Sequence, residues 1–253
     1  MRFTDKCVIV TGASSGMGWS TALGFAAEGA TVIAVARRKE RLDQLIAEAA
    51  DLPGKVLAYT GDVSTRETNE AMIEFALEQC GKLDVLVNNA GLMDEFKPVG
   101  EVEDDQWNRV FQINVYGPMT AMRKAVQVMG GQKQGGCIVN VASIGGLRGC
   151  RAGAAYTASK HALVGLTQNT AYMYQGAKIR CNAVCPGGVD TEVMNGQNNI
   201  SQLGIGRVMA GLDKAIPSGK PQDIAAVVMF LASDDAKFMN GSAVVVDGGV
   251  SCN

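Results

Sequence analysis

Short apolar runs alternate with longer amphipathic stretches along most of the chain. Lys6 to Val10, Thr31 to Ala36, Lys55 to Thr60, Leu83 to Val87, Cys137 to Ala142, Ile179 to Val184 and Ala243 to Val246 read as strands. Helical periodicity fills the gaps: a first helix running to Glu28 and stopped by Gly29, then Lys39 to Ala50 before Pro53, Thr65 to Cys80, Glu103 to Met129, Ala155 to Tyr174, and Gln222 to Leu231. Several strands are apolar at consecutive positions, so both of their faces must be covered. Together with the strand–helix alternation, this predicts an α/β domain whose doubly wound parallel sheet carries helices on both sides, a three-layer αβα arrangement. Right-handed crossovers would then gather the loops after Val10, Val87, Ala142 and Val184 along one sheet edge. No linker-like shift in composition and no repeat occurs, so residues 1–253 are expected to form a single domain.

Composition narrows the partners. Of 253 residues, 31 are Gly, about 12% against a usual ~7%, and they collect at turns rather than in low-complexity tracts. A net charge of -2 gives no electrostatic case for nucleic acid or an anionic membrane. Seven scattered cysteines without a CxxC motif read as reduced core thiols. With no signal-like apolar start and no run long enough to span a bilayer, a cytoplasmic protein is expected.

The chemistry concentrates at Tyr156-Thr-Ala-Ser-Lys160. Four residues on a helix bring Tyr156 and Lys160 to one face, where an ammonium would favour tyrosinate and turn the phenol into a usable acid or base. The pair alone also fits a half-buried tyrosine and a snorkelling lysine. Ser143, just past a strand, could hold the same substrate oxygen. After the first strand comes Thr11-Gly-Ala-Ser-Ser-Gly-Met-Gly18, whose glycines are spaced G-x3-G-x-G. Such a loop lets backbone approach a pyrophosphate at a helix N-terminus, and equally suits a plain tight turn. The second strand ends Ala36-Arg37-Arg38, with no acid before Glu40. Guanidinium there suits a 2′-phosphate rather than free ribose hydroxyls, or it simply opens a solvated helix.

Taken together, these motifs resemble those of the short-chain dehydrogenase/reductase family over nearly the whole length. The resemblance implies a Rossmann-like fold with a cofactor half at about 1–150 and a catalytic and substrate half at about 137–253. Gly12, Ser14, Ser15, Gly16, Met17 and Gly18 match its cofactor loop, Asn88-Asn89-Ala90-Gly91 its mid-sheet motif, and Asp62-Val63 the pair near the adenine. Pro186, Gly187, Val189 and Thr191 resemble the element holding the nicotinamide carboxamide. Asn114, Ser143, Tyr156 and Lys160 match the catalytic tetrad. By this resemblance Tyr156 is the acid/base, Lys160 lowers its pKa and also binds the nicotinamide ribose, Ser143 orients the substrate oxygen, and Asn114 holds a relay water. No metal is implied. With Arg37 and Arg38, the implied cofactor is NADP(H) ahead of NAD(H), and a homotetramer is expected from the resemblance alone.

The expected reaction is reduction of a ketone or oxidation of a secondary alcohol on a small molecule. Two alternatives stand beside it. One is reduction of 3-oxoacyl chains on acyl carrier protein, which the non-basic Gln134 and Tyr172 disfavour; the other is a silent dinucleotide-binding regulator. His161 should point about 100° off the catalytic face. Arg148 and Arg151 could meet an anionic substrate group or lie at the surface. Residues 187–217 read as a lid over an apolar substrate or as a subunit contact. Their apolar positions include Val193, Met194, Val208 and Met209, with near-helical spacing from Ser201 to Lys214 and glycine hinges such as Gly196.

Overall fold

The computed structural model describes residues 1–192, 197–212 and 215–252. Seven parallel strands form one sheet: β1 (Cys7–Thr11), β2 (Thr31–Ala36), β3 (Lys55–Thr60), β4 (Val85–Asn88), β5 (Gly136–Val141), β6 (Ile179–Pro186) and β7 (Ala243–Val246), in the order β3-β2-β1-β4-β5-β6-β7. Eight α-helices accompany them among the described residues: α1 (Gly16–Ala27), α2 (Lys39–Glu48), α3 (Arg66–Cys80), α4 (Asp104–Phe111), α5 (Gly117–Gly130), α6 (Ala154–Met173), α7 (Gln202–Ala210) and α8 (Pro221–Ala232).

The strand pleat divides the apolar runs between two cores. Val8, Val10, Val32, Ala34, Val85 and Val87 face one side, where Ala22 and Phe25 of α1, Leu42 and Leu45 of α2, and Ile224 and Val228 of α8 cover them. Their sequence neighbours Cys7, Ile9, Ile33, Val35 and Leu86 face the other, under Met72, Ile73 and Ala76 of α3 and Met122, Ala125 and Met129 of α5. A period of two therefore fills both layers from one apolar run, which is why these strands show no polar alternation. Element ends follow local chemistry. The Thr65 side chain accepts from the Thr68 N–H at the start of α3, and Gly81 closes that helix at φ 72°.

The stretch read as a single helix from Glu103 to Met129 is broken by a π turn over Gln112–Tyr116, across which the Gly117 N–H donates to the Gln112 carbonyl. Asn114 sits inside that turn, fully buried. The helical spacing in the 187–217 segment becomes α7, capped by Ser201, whose hydroxyl accepts from the Gly204 N–H. Val193, Met194, Gly196 and Lys214 lie outside the described residues.

Candidate active site

Strand order reverses between β1 and β4, and the loops leaving these two strands part to open a cleft of about 430 Å³. Gly12, Ser14, Ser15, Gly16, Met17, Arg37, Arg38, Asp62, Val63, Asn89, Ala90, Gly91 and Thr191 line it. Gly18 serves by packing instead. A Cβ there would stand 2.3 Å from the Gly12 carbonyl oxygen, and one on Gly12, whose φ is +68°, would stand 2.8 Å from Ala90 Cα. The two loops are stitched together by Thr11, whose hydroxyl accepts from the N–H groups of Asn89 (3.0 Å) and Ala90 (3.1 Å). Asn89 Oδ1 is buried and lacks a hydrogen-bond partner within the described protein. A backbone brought this close and an unanswered acceptor fit a dinucleotide lying in the cleft.

Beside Gly91 the catalytic candidates converge. A Cβ on Gly91 would meet Lys160 Nζ at 3.4 Å and Asn114 Oδ1 at 3.5 Å, so both polar groups lie immediately behind the cleft wall. Lys160 is buried, and its Nζ donates to the Val141 carbonyl at 2.9 Å and stands 5.5 Å from the centre of the Tyr156 ring. Asn114 is pinned on both sides of its amide. Its Oδ1 accepts from the Leu92 N–H (2.8 Å), while Nδ2 donates to the Leu92 carbonyl (2.9 Å) and to the Ser159 hydroxyl (3.0 Å). Ser143 follows β5, accepts from the Gly145 N–H at 3.0 Å, and hydrogen-bonds the Tyr156 phenol. Behind them, Asn140 on β5 accepts from Asn88 on β4 and donates to Thr167 on α6, both at 2.8 Å. This buried chain sets α6 against the two strands.

Burial governs the electrostatics. It pushes the Tyr156 phenol up to about 12, opposed by the Ser143 hydrogen bond, and brings the Lys160 ammonium down to about 8. Among the protein groups alone, then, desolvation dominates and Lys160 is not among the groups that shift the phenol, contrary to the simple expectation from the i, i+4 pair. Tyr156 as a whole residue is half-buried.

Of the residues expected to hold the cofactor, Pro186, Gly187 and Val189, and likewise Tyr156 and Lys160, do not line the cleft. Pro186 ends β6, the Gly187 N–H donates to the Val246 carbonyl, and Val189 bridges to Gly219. The structure adds Arg109, Ile113 and Glu192 to the cleft wall. Glu192 had no motif to announce it, yet it pairs with Arg38 (3.3 Å) and Arg41 (3.0 Å), while Arg38 also donates to the Ser14 and Ser15 hydroxyls. Arg151 donates to the carbonyls of Gly211 and Val250, tying the loop after β5 to two later segments. His161 is exposed and turned to the Thr157 carbonyl. Four cysteines are buried as expected, but Cys80 is half-buried and Cys150 and Cys252 are exposed. Among the described residues, no group of three or more His, Cys, Asp or Glu side chains is placed to hold a metal, and no helix is long and apolar enough to cross a membrane.

Comparison with known proteins agrees with this geometry. A family model described as enoyl-(acyl carrier protein) reductase matches residues 12–251. The 3beta-hydroxysteroid dehydrogenase 2 of Eggerthella lenta is 42% identical over 246 residues, spanning 97% of this chain and 95% of that protein. The 3-oxoacyl-[acyl-carrier-protein] reductase of Thermotoga maritima is 38% identical over 256 residues, with 99% of each chain covered. The crystal structure of levodione reductase superposes with a TM-score of 0.88 at 33% identity, again over 99% of each chain. On its motifs, its sheet and these relatives, the chain belongs to the short-chain dehydrogenase/reductase family.

Proposed function

We propose that this protein is an NADP(H)-dependent oxidoreductase that interconverts a ketone and a secondary alcohol on a bulky apolar substrate. The observation carrying this reading is the grouping of Lys160 and Asn114 immediately behind Gly91 of the cleft wall, with Ser143 and Tyr156 meeting at Gly145 and Lys160 5.5 Å from the centre of the Tyr156 ring. A nicotinamide dinucleotide would supply or accept the hydride when bound along Gly12 to Met17 and Asn89 to Gly91. Tyr156 gives its phenolic proton to the carbonyl oxygen in reduction and takes it back in oxidation. Ser143 holds that oxygen in line. Lys160 stabilises tyrosinate and reaches the ribose, and Asn114, fixed by Leu92, holds a water on the path from Lys160 to solvent.

The NADP(H) preference rests on Arg37 and Arg38 beside an uncharged Ala36 at the end of β2. Glu192 occupies part of this charge, so a 2′-phosphate would have to compete with a carboxylate for Arg38. Even so, charge-assisted hydrogen bonds worth ~1.5–3 kcal/mol each should leave kcat/KM for NADPH roughly ten- to a hundredfold above that for NADH. Ala36→Asp with Arg37→Ala should reverse the order. Equal kcat/KM for both cofactors in the parent would reduce these arginines to surface charge.

A steroid-like or lipid-like substrate is favoured by the named activity of the Eggerthella relative and by the apolar residues of α7, whose start is held by the loop after β4. Hydrogen exchange would test the lid reading of 187–217. Protection of α7 should rise when NADP(H) and a steroid-like ketone are both added, and full protection already present without ligand would make this segment a subunit contact. Reduction of 3-oxoacyl carrier protein is the second reading, supported by the Thermotoga relative. Exposed Tyr172 gives an acidic carrier no cation to grip. We further place the protein in the cytosol, as its unpaired thiols suit, and, from the family, expect a homotetramer.

A further inference from the structure

Asp94 lies in the loop after β4, fully buried, and no step of the reaction above uses it. Its Oδ1 accepts from the N–H groups of Gly153 (3.0 Å) and Phe96 (3.1 Å), and its Oδ2 from that of Tyr156 (2.8 Å). The adjacent cation, Lys97, is paired instead with Glu95 and Glu103. Gly153 is the N-cap of α6 and has no side chain to cap with, so a carboxylate from another loop takes that place. Residue 153 must lack a Cβ for this, since one would stand 2.5 and 2.7 Å from the two carboxylate oxygens. The Lys97 carbonyl accepts the next N–H, that of Ala154, at 2.9 Å. One loop therefore holds three N–H groups at the start of the helix that bears Tyr156.

The same loop grips the substrate side. Gln197 Nε2 donates to the Asp94 carbonyl at 2.8 Å, and the Ser201 N–H donates to the Glu95 carbonyl at 3.0 Å. We propose that Asp94 is a positioning residue for the reaction, fixing where Tyr156 stands on α6 and setting a buried negative charge beside it. The inference rests on Tyr156 being the acid/base. The phenol is faced by Lys160 from its own helix, Ser143 from the loop after β5, Cys185 from β6 and Asp94 from the loop after β4. Asp94 and Cys185 disfavour tyrosinate and the Ser143 hydrogen bond favours it. Asp94 thus biases Tyr156 toward the protonated form that donates in ketone reduction.

Two variants separate charge from placement. Asp94→Asn removes the charge and sets an amide N–H against a backbone N–H. Its tyrosinate absorbance, read at one alkaline pH below the onset of unfolding with Tyr156→Phe subtracted, should be several-fold greater than the parent's. The rising limb of the pH profile for alcohol oxidation should move to lower pH. Asp94→Glu keeps the charge but overfills the space. It should leave the ionised fraction of Tyr156 unchanged while kcat falls at least about tenfold with substrate KM within about twofold. An unchanged ionised fraction in folded Asp94→Asn, or a parental kcat in Asp94→Glu, would overturn the proposal. Should Asp94→Asn not fold, the kcat of Asp94→Glu decides alone. The absorbance needs no turnover, so a greater ionised fraction alongside an active Tyr156→Phe would place the failure in the proposed reaction instead.

Discussion

Tyr156→Phe is expected to lower kcat by roughly 10²–10⁴-fold, the usual worth of a positioned acid or base, with cofactor affinity held within a few fold. Phenylalanine keeps the ring that stands 5.5 Å from Lys160 Nζ, and only the hydroxyl bonded to Ser143 goes. The cleft wall from Gly12 to Met17 and from Asn89 to Gly91 does not touch that hydroxyl, so dinucleotide binding has no reason to change. In the parent, reduction needs the protonated phenol and oxidation the phenolate, so raising the pH should slow the first and speed the second. Steady-state rates in both directions, with cofactor affinity from fluorescence titration, make the check. A variant that kept appreciable turnover on the best substrate would remove Tyr156 from its assigned role.

Lys160→Ala should be at least as damaging and should differ in kind, costing turnover and cofactor affinity together. Nζ donates to the Val141 carbonyl inside the protein, and truncation leaves that acceptor buried and unpaired at a cost of ~1–3 kcal/mol. It also removes the one cation beside the phenol within the described residues, and the proposed partner of the ribose hydroxyls. A loss of about 10³-fold in kcat/KM and about tenfold or more in affinity would follow. The pH dependence has a definite sign. Burial has brought Lys160 down to about 8, and its charged form is the better ribose donor, so cofactor affinity should fall as pH rises past that value. The alanine variant should not show this titration. Lost turnover with untouched affinity would mean that Lys160 serves the phenol alone.

What could be read beforehand was what short-range rules encode. β2, β3 and β7 match the expected runs residue for residue, because each short apolar run meets turn residues at both ends, although of the three only β2 is buried on both faces. Tyr156 and Lys160 were legible because one helical turn relates them, and Ser143 because it follows a strand. The π turn escaped notice because Gln112 to Tyr116 carry no glycine or proline and differ from regular helix only in phase. Arg109 and Ile113, just before and within that turn, line the cleft without any motif to mark them. Glu192 meets Arg38 from 154 positions away, a distance over which spacing carries no signal. The environment of Tyr156 is not legible from the sequence for a related reason: pair geometry is local, whereas desolvation belongs to the assembled fold.

Seen as a count of residues, the π turn is one amino acid more than a regular helix from Asp104 to Gly130 would need. A chain shortened by one position there could restore unbroken i to i−4 hydrogen bonds. It would also turn α4 by about 100° relative to α5, carrying Asn114 off Leu92 and Arg109 out of the cleft. Stability and activity therefore pull on the length of this segment in opposite directions. Lineages or libraries screened only for heat resistance would be free to lose the extra residue, and those that must still turn over substrate would retain it.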